Sequence, residues 1–215
     1  MTQDANRPAP PGPDADFSYL DALRPSRIRE LARGRSAWTS VDVLAGDASE
    51  AHAIRAVLEL MGIHVQVFPL GLAQHAVNVL SGSVGTGEYL LLACHGDEGA
   101  IVLPELAPEV AATQRWHTRL PADAVREIVH LPDRTVIGLG CDMGHPALAD
   151  AFLGGGCRAY IGPESGPFRY ASALFPALLF YELTELRSLA DAVQRIRGWD
   201  AEMAMWRLYE RPPSP

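Results

Sequence analysis

The order of elements along the chain predicts an α/β fold. It should have three layers, with helices on both faces of a mainly parallel sheet of five or six strands. Three observations carry this. From about residue 38, strand-like and helix-like segments alternate, the pattern that builds parallel sheets through crossover helices. Two strand-like segments, YLLLACHG and TVIGLGC, are near-continuous apolar runs, as central strands covered on both faces require. The 215 residues, 48% of them hydrophobic, suffice to bury one large core.

Residues 1–16 are Pro-rich and polar and read as a disordered tail. Residues 17–37 hold material for short N-terminal helices, and 38–210 form a single domain. WTSVDVLAG is the first strand and ends in Gly46-Asp47. ASEAHAIRAVLELMG is an amphipathic helix with Ala53, Ala56, Val57 and Leu60 as its apolar stripe and Gly62 as its stop. IHVQVFPL alternates as a strand and LAQHAVNVLSG is a short helix. After YLLLACHG comes an extra extended piece, AIVLPEL, then the helix PADAVREIVHL with Pro121 near its start. TVIGLGC leads to the helix PALADAFLGGG, the strand CRAYIGP and the helix YASALFPALLFYELTEL. SLADAVQRIRGWDAEMAMWRLYE closes the chain as one long helix or two.

Composition narrows the function classes. Formal net charge is -8, every one of the 18 basic residues is Arg, and no basic stripe exists. A nucleic acid is therefore not expected as the main partner. The N-terminus lacks the apolar stretch of a signal peptide, and the longest apolar segment is broken by Pro176, so no membrane span is expected. Three cysteines, Cys94, Cys141 and Cys157, are an odd number without CxxC spacing. That suits free thiols and a reducing cytoplasm. GSVGTGEY leads into a strand, whereas a phosphate loop leads into a helix, and no cofactor is expected.

In open α/β sheets the working residues sit at the carboxyl ends of strands. Two strands end on reactive groups, one on Cys94-His95-Gly96 and the other on Cys141. If they are neighbours, His95 and Cys141 face one groove, the minimum for a thiol nucleophile with a basic partner. Gly144-His145-Pro146 then opens a helix, whose N-terminus above Cys141 would favour the thiolate. The amides of Gly96 and Cys141 are candidates for an oxyanion hole. Strand alternation sends Cys94 to the face opposite His95, into the core. The competing reading of Cys141 is a small buried hydrophobe. A zinc site built from Cys94, His95, Cys141 and His145 fails on spacing, because alternation splits the adjacent pair. No metal is assigned.

A hydrophobic block ending in His-Gly, followed 46 positions later by a Cys at the end of a second block, resembles the caspase-like (clan CD) cysteine peptidases. The nearer resemblance is to CHAT domains, which often read Ala-Cys-His-Gly where this chain has residues 93–96. It covers roughly residues 38–197. It implies a caspase-like sheet with flavodoxin-like strand order, His95 as catalytic His and Cys141 as nucleophile. It implies a protein or peptide substrate cleaved through an acyl-enzyme. Relatives carry sensor domains, so a separate activating or sensor protein, in prokaryotic stress or defence signalling, follows by analogy. Two segments depart from the family: GLGCDMG around the Cys, and GPESGPFRYA where a Trp-x-x-Asp segment is usual.

Asp97, Glu98, Asp142 and Glu164 come from segments near the groove. They are either solvated loop acids or the wall of an acidic pocket selecting Arg or Lys before the cut, with Asp142 the favoured residue and Asp97 and Glu164 beside it. From a different class, the same fold serves as a non-catalytic scaffold that binds a protein partner. A third reading has Cys141 act on a small-molecule amide or thioester.

Overall fold

The computed structural model describes residues 26–32, 39–85 and 87–211. The 1–16 tail and much of 17–37 lie outside them. The elements are α1 (Arg27–Ala32), β1 (Ser40–Ala45), α2 (Ala48–Leu60), β2 (His64–Pro69), α3 (Ala73–Leu80), β3 (Tyr89–Ala93), β4 (Gly96–Asp97), β5 (Ala100–Val102), α4 (Pro108–Ala111), β6 (Arg119–Pro121), α5 (Ala122–Ile128), β7 (Thr135–Gly138), α6 (Pro146–Gly154), β8 (Ala159–Pro163), α7 (Arg169–Thr184), α8 (Leu189–Arg197) and β9 (Trp206–Glu210).

The main sheet has the order β2-β1-β3-β7-β8-β9. Its first five strands run parallel and β9 is antiparallel to β8. The parallel part has flavodoxin-like order, as predicted. The apolar run in β3 is continuous because both of its faces are covered. Leu90 and Leu92 join one core with α3, α5 and α6, while Tyr89, Leu91 and Ala93 join another with α2, α7 and α8. The extra extended piece becomes β5 of a small antiparallel sheet, β4-β5-β6.

Two expectations are corrected. In α2 the buried stripe is Ala51, Ile54 and Leu58, whereas Ala53, Ala56, Val57 and Leu60 are exposed, Leu60 by 88%. Both series satisfy a helical period, and the way the chain leaves β1 and enters β2 decides which one meets the sheet. At the C-terminus, α8 stops at Gly198 and residues 206–210 pair with β8 as an edge strand. Trp206 is fully buried and stacks on Phe175 at 4.5 Å between ring centres. That burial offsets what a second helix would have offered through propensity.

One buried ion pair ties the amino ends of three strands together. Asp42, in the middle of β1, is 2% exposed and pairs with Arg134, just before β7. It also accepts the Gly87 N–H at 2.9 Å, just before β3. A Cβ on Gly87 would lie 2.9 Å from the Asp42 nitrogen. Gly85 and Gly87 of GSVGTGEY thus make room for a carboxylate of the protein itself.

At the opposite end Asp47 caps α2. Its Oδ1 accepts the N–H groups of Ser49 at 2.8 Å and Glu50 at 3.1 Å, and the Ser49 hydroxyl at 2.6 Å. The Ser49 hydroxyl bond, followed by the amide of Glu50, lowers the Asp47 pKa to about 2.

Two stability changes are expected. Asp42→Ala leaves Arg134 buried and unpaired and should cost about 3–5 kcal/mol in urea unfolding. Asp47→Ala should cost about 1 kcal/mol, with Asp47→Asn keeping most of the cap. Folding favours ionised Asp47, so the contribution of its charge is complete above its ordinary value near 3.8 and fades as pH falls towards 2. The Asp47→Ala gap should shrink over that window, and a gap that stays constant there would count against the assignment.

Candidate active site

Parallel pairing sets the level of the site. Leu92 of β3 is opposite Gly138 of β7, and His95 and Cys141 each stand three residues further on. Ala45 of β1 is opposite Ala93, and Asp47 and His95 each stand two residues beyond that pair. Asp47, His95 and Cys141 therefore lie just beyond the carboxyl ends of three successive strands, with neighbouring strands about 5 Å apart.

A cavity of about 260 Å³ opens between these strand ends and the start of α7. It is lined by Asp47, Glu50, Cys94, His95, Leu139, Gly140, Cys141, Pro167, Arg169 and Ser172. His95 is exposed and Cys141 half-buried. Of the three free cysteines only Cys141 is not buried. Burial pushes the thiols of Cys94 and Cys157 up to about 12, so both stay protonated at neutral pH and behave as core residues.

Close backbone packing holds the Cys141 segment. A Cβ on Gly140 would collide with the Cys94 carbonyl oxygen and the Gly96 nitrogen, and one on Gly96 with the Cys141 carbonyl oxygen. The two strand ends therefore meet only because both positions are glycine. The Ser172 hydroxyl donates to the Leu139 carbonyl at 2.9 Å. Below the loop, Tyr160 donates to the Met143 carbonyl at 2.7 Å and Tyr209 to the Gly144 carbonyl at 2.6 Å. Gly166 of the loop after β8 passes beside the thiol, since a Cβ there would sit 3.4 Å from Cys141 Sγ.

The Gly96 amide is turned away from β5. Val102 donates to the His95 carbonyl at 2.9 Å, which makes Gly96 and Ile101 the non-hydrogen-bonded pair of the ladder. Its N–H thus points away from β5, on a backbone that abuts that of Cys141.

The acids expected around the thiol lie elsewhere. Asp142 has φ 54°, and this left-handed turn carries its side chain into a neighbouring groove of about 620 Å³ with Glu98, His145 and Glu164. Glu164 pairs there with Arg207 at 2.5 Å. Asp97 lines neither cavity and sits 3.6 Å from Arg119. His145 caps α6, its Nδ1 accepting the Ala147 N–H at 3.2 Å, and the first turn of α6 faces that same groove.

Sequence reading missed Asp47, Glu50, Arg169 and Ser172. Asp47 and Glu50 follow β1, so extending the strand-end rule from β3 and β7 to β1 would have found them. Arg169 and Ser172 come from α7 and carried no local signal. Glu50 has one oxygen, Oε1, that is buried without a hydrogen-bond partner. Burial first, and then the charge of Asp47, raise its pKa, while Arg169 lowers it. Among the described residues no three His, Cys, Asp or Glu side chains gather as a metal site, and no helix is long and apolar enough to cross a membrane.

No protein-family model matches the sequence, and no curated protein matches it. Solved structures do. A chain of the Saccharomyces cerevisiae separase–securin complex matches with a TM-score of 0.50 at 12% identity, over 85% of this chain and 13% of that one. A secreted C11 cysteine protease from Bacteroides thetaiotaomicron, solved with an irreversible peptide inhibitor, matches with a TM-score of 0.45 at 13% identity, over 74% of this chain and 57% of that one. The present chain thus spans about an eighth of the separase-complex chain, and the likeness to that chain is one of fold.

Proposed function

We propose that the protein is a cysteine endopeptidase of the caspase-like, CHAT-related type. The observation that carries this is that His95 and Cys141 line one cavity, each just beyond the end of one of two adjacent parallel strands. Cys141 Sγ attacks the scissile carbonyl and forms a thioester, and the peptide nitrogen departs as an amine with a proton delivered by His95. Water then attacks the thioester, releases the acid and returns the thiol. The amides of Gly96 and Cys141 hold the negative oxygen of each tetrahedral intermediate.

The cavity favours a basic side chain immediately before the cut. An unpartnered, buried carboxylate oxygen is costly until a donor reaches it, and Glu50 Oε1 is such an oxygen. Glu50, with Asp47 beside it, is the proposed selector of P1 Arg or Lys. Asp142 and Glu164 flank this cavity from the adjoining groove.

A peptide probe with a thiol-reactive warhead should label the wild type and Cys94→Ala and should not label Cys141→Ala. Labelling that depends on Cys94, or none at all, would point to a partner-binding scaffold instead. Glu50→Gln should lower kcat/KM for P1 Arg substrates about thirty-fold, the loss of one charged hydrogen bond. A fluorogenic panel showing preference for P1 Asp would remove the assignment.

A further inference from the structure

The cavity already contains a cation. Arg169, the first residue of α7, reaches across its mouth, and Nη2 donates to Asp47 Oδ2 and to Ser49 Oγ, each at 2.6 Å. Asp47 is held in place by its other oxygen, which caps α2. Arg169 is the open member of the pair, its side chain 68% exposed against 32% for Asp47. Water screens such a pair, so breaking it costs little. Behind it the buried Oε1 of Glu50 remains without a partner.

We propose that Arg169 is a displaceable internal counter-ion that holds the cation position at Asp47 and yields it to the basic side chain of a substrate. This rests on the reading of the cavity as a site for basic P1 residues. When a guanidinium or ammonium group enters, Arg169 swings into solvent, and Asp47 and Glu50 share the incoming charge. A neutral side chain cannot replace that charge and leaves the Asp47–Arg169 pair in place. The pair thus weakens the cavity's hold on basic residues by the small cost of parting it.

The test uses the full chain with Cys141→Ala, so that binding is read without turnover, and titrates benzamidine and its neutral analogue benzamide by calorimetry. Adding Arg169→Gln should tighten benzamidine binding roughly five-fold, the factor gained when an exposed ion pair no longer has to be broken, and should leave benzamide unchanged. Adding Glu50→Gln should weaken benzamidine. Weaker or equal benzamidine binding with Arg169→Gln, or no benzamidine binding in either chain, would overturn the proposal. So would an acetyl-aspartate amide that binds only while Arg169 is present, because Arg169 would then be a ligand for carboxylates. Labelling of Cys141 by the thiol probe reports separately on the peptidase reading.

Discussion

The parallel pairing of β3 with β7 is the constraint on which the rest of the molecule turns. Leu92 opposite Gly138 brings the two apolar runs side by side and their ends to one height. A shift of that register by one residue would reverse the faces of every core side chain on β3. It would also separate His95 from Cys141 along the strand direction. Core burial and site geometry are thus secured by the same hydrogen-bonded ladder.

The two ends of the sheet do different work. At the amino ends, Asp42 and Arg134 close a buried ion pair against a glycine-bearing loop. At the carboxyl ends, glycines at 96 and 140 let backbone touch backbone. Hydroxyls from α7, β8 and β9 hold the loop carbonyls. The carboxyl end holds the one cysteine that is not buried. The Asp47–Arg169 pair and the orphaned oxygen of Glu50 place the electrostatics of the cavity in the β1–α2 turn and the start of α7.

Much of the fold was legible because it follows from short-range patterns. The unbroken run YLLLA could only be a strand covered twice, and both cores do cover it. Gly62 and Pro146 mark helix ends by local chemistry. The buried face of α2 was not legible, because Ala53-Val57-Leu60 and Ala51-Ile54-Leu58 are equally good helical stripes. WRLYE was not legible either, because its strand state depends on the free edge of β8 and on the ring of Phe175. Asp142 was misplaced for a backbone reason, since a left-handed residue after the cysteine turns its side chain out of the cavity.

The sequence by itself determined the alternation of strands and helices, the apolar centre of the sheet, and the placing of a His and a Cys at the ends of its two most apolar strands. These rest on periodicity and on chemistry within a few residues. Only the tertiary structure decided the register of neighbouring strands, which helix face is buried, and which charges share the cavity with Cys141. Asp47 and Arg169 are 122 positions apart, and Cys141 and Gly166 belong to different loops. Contacts of that range depend on strand order and register, which the burial of both sheet faces settles for the whole chain at once.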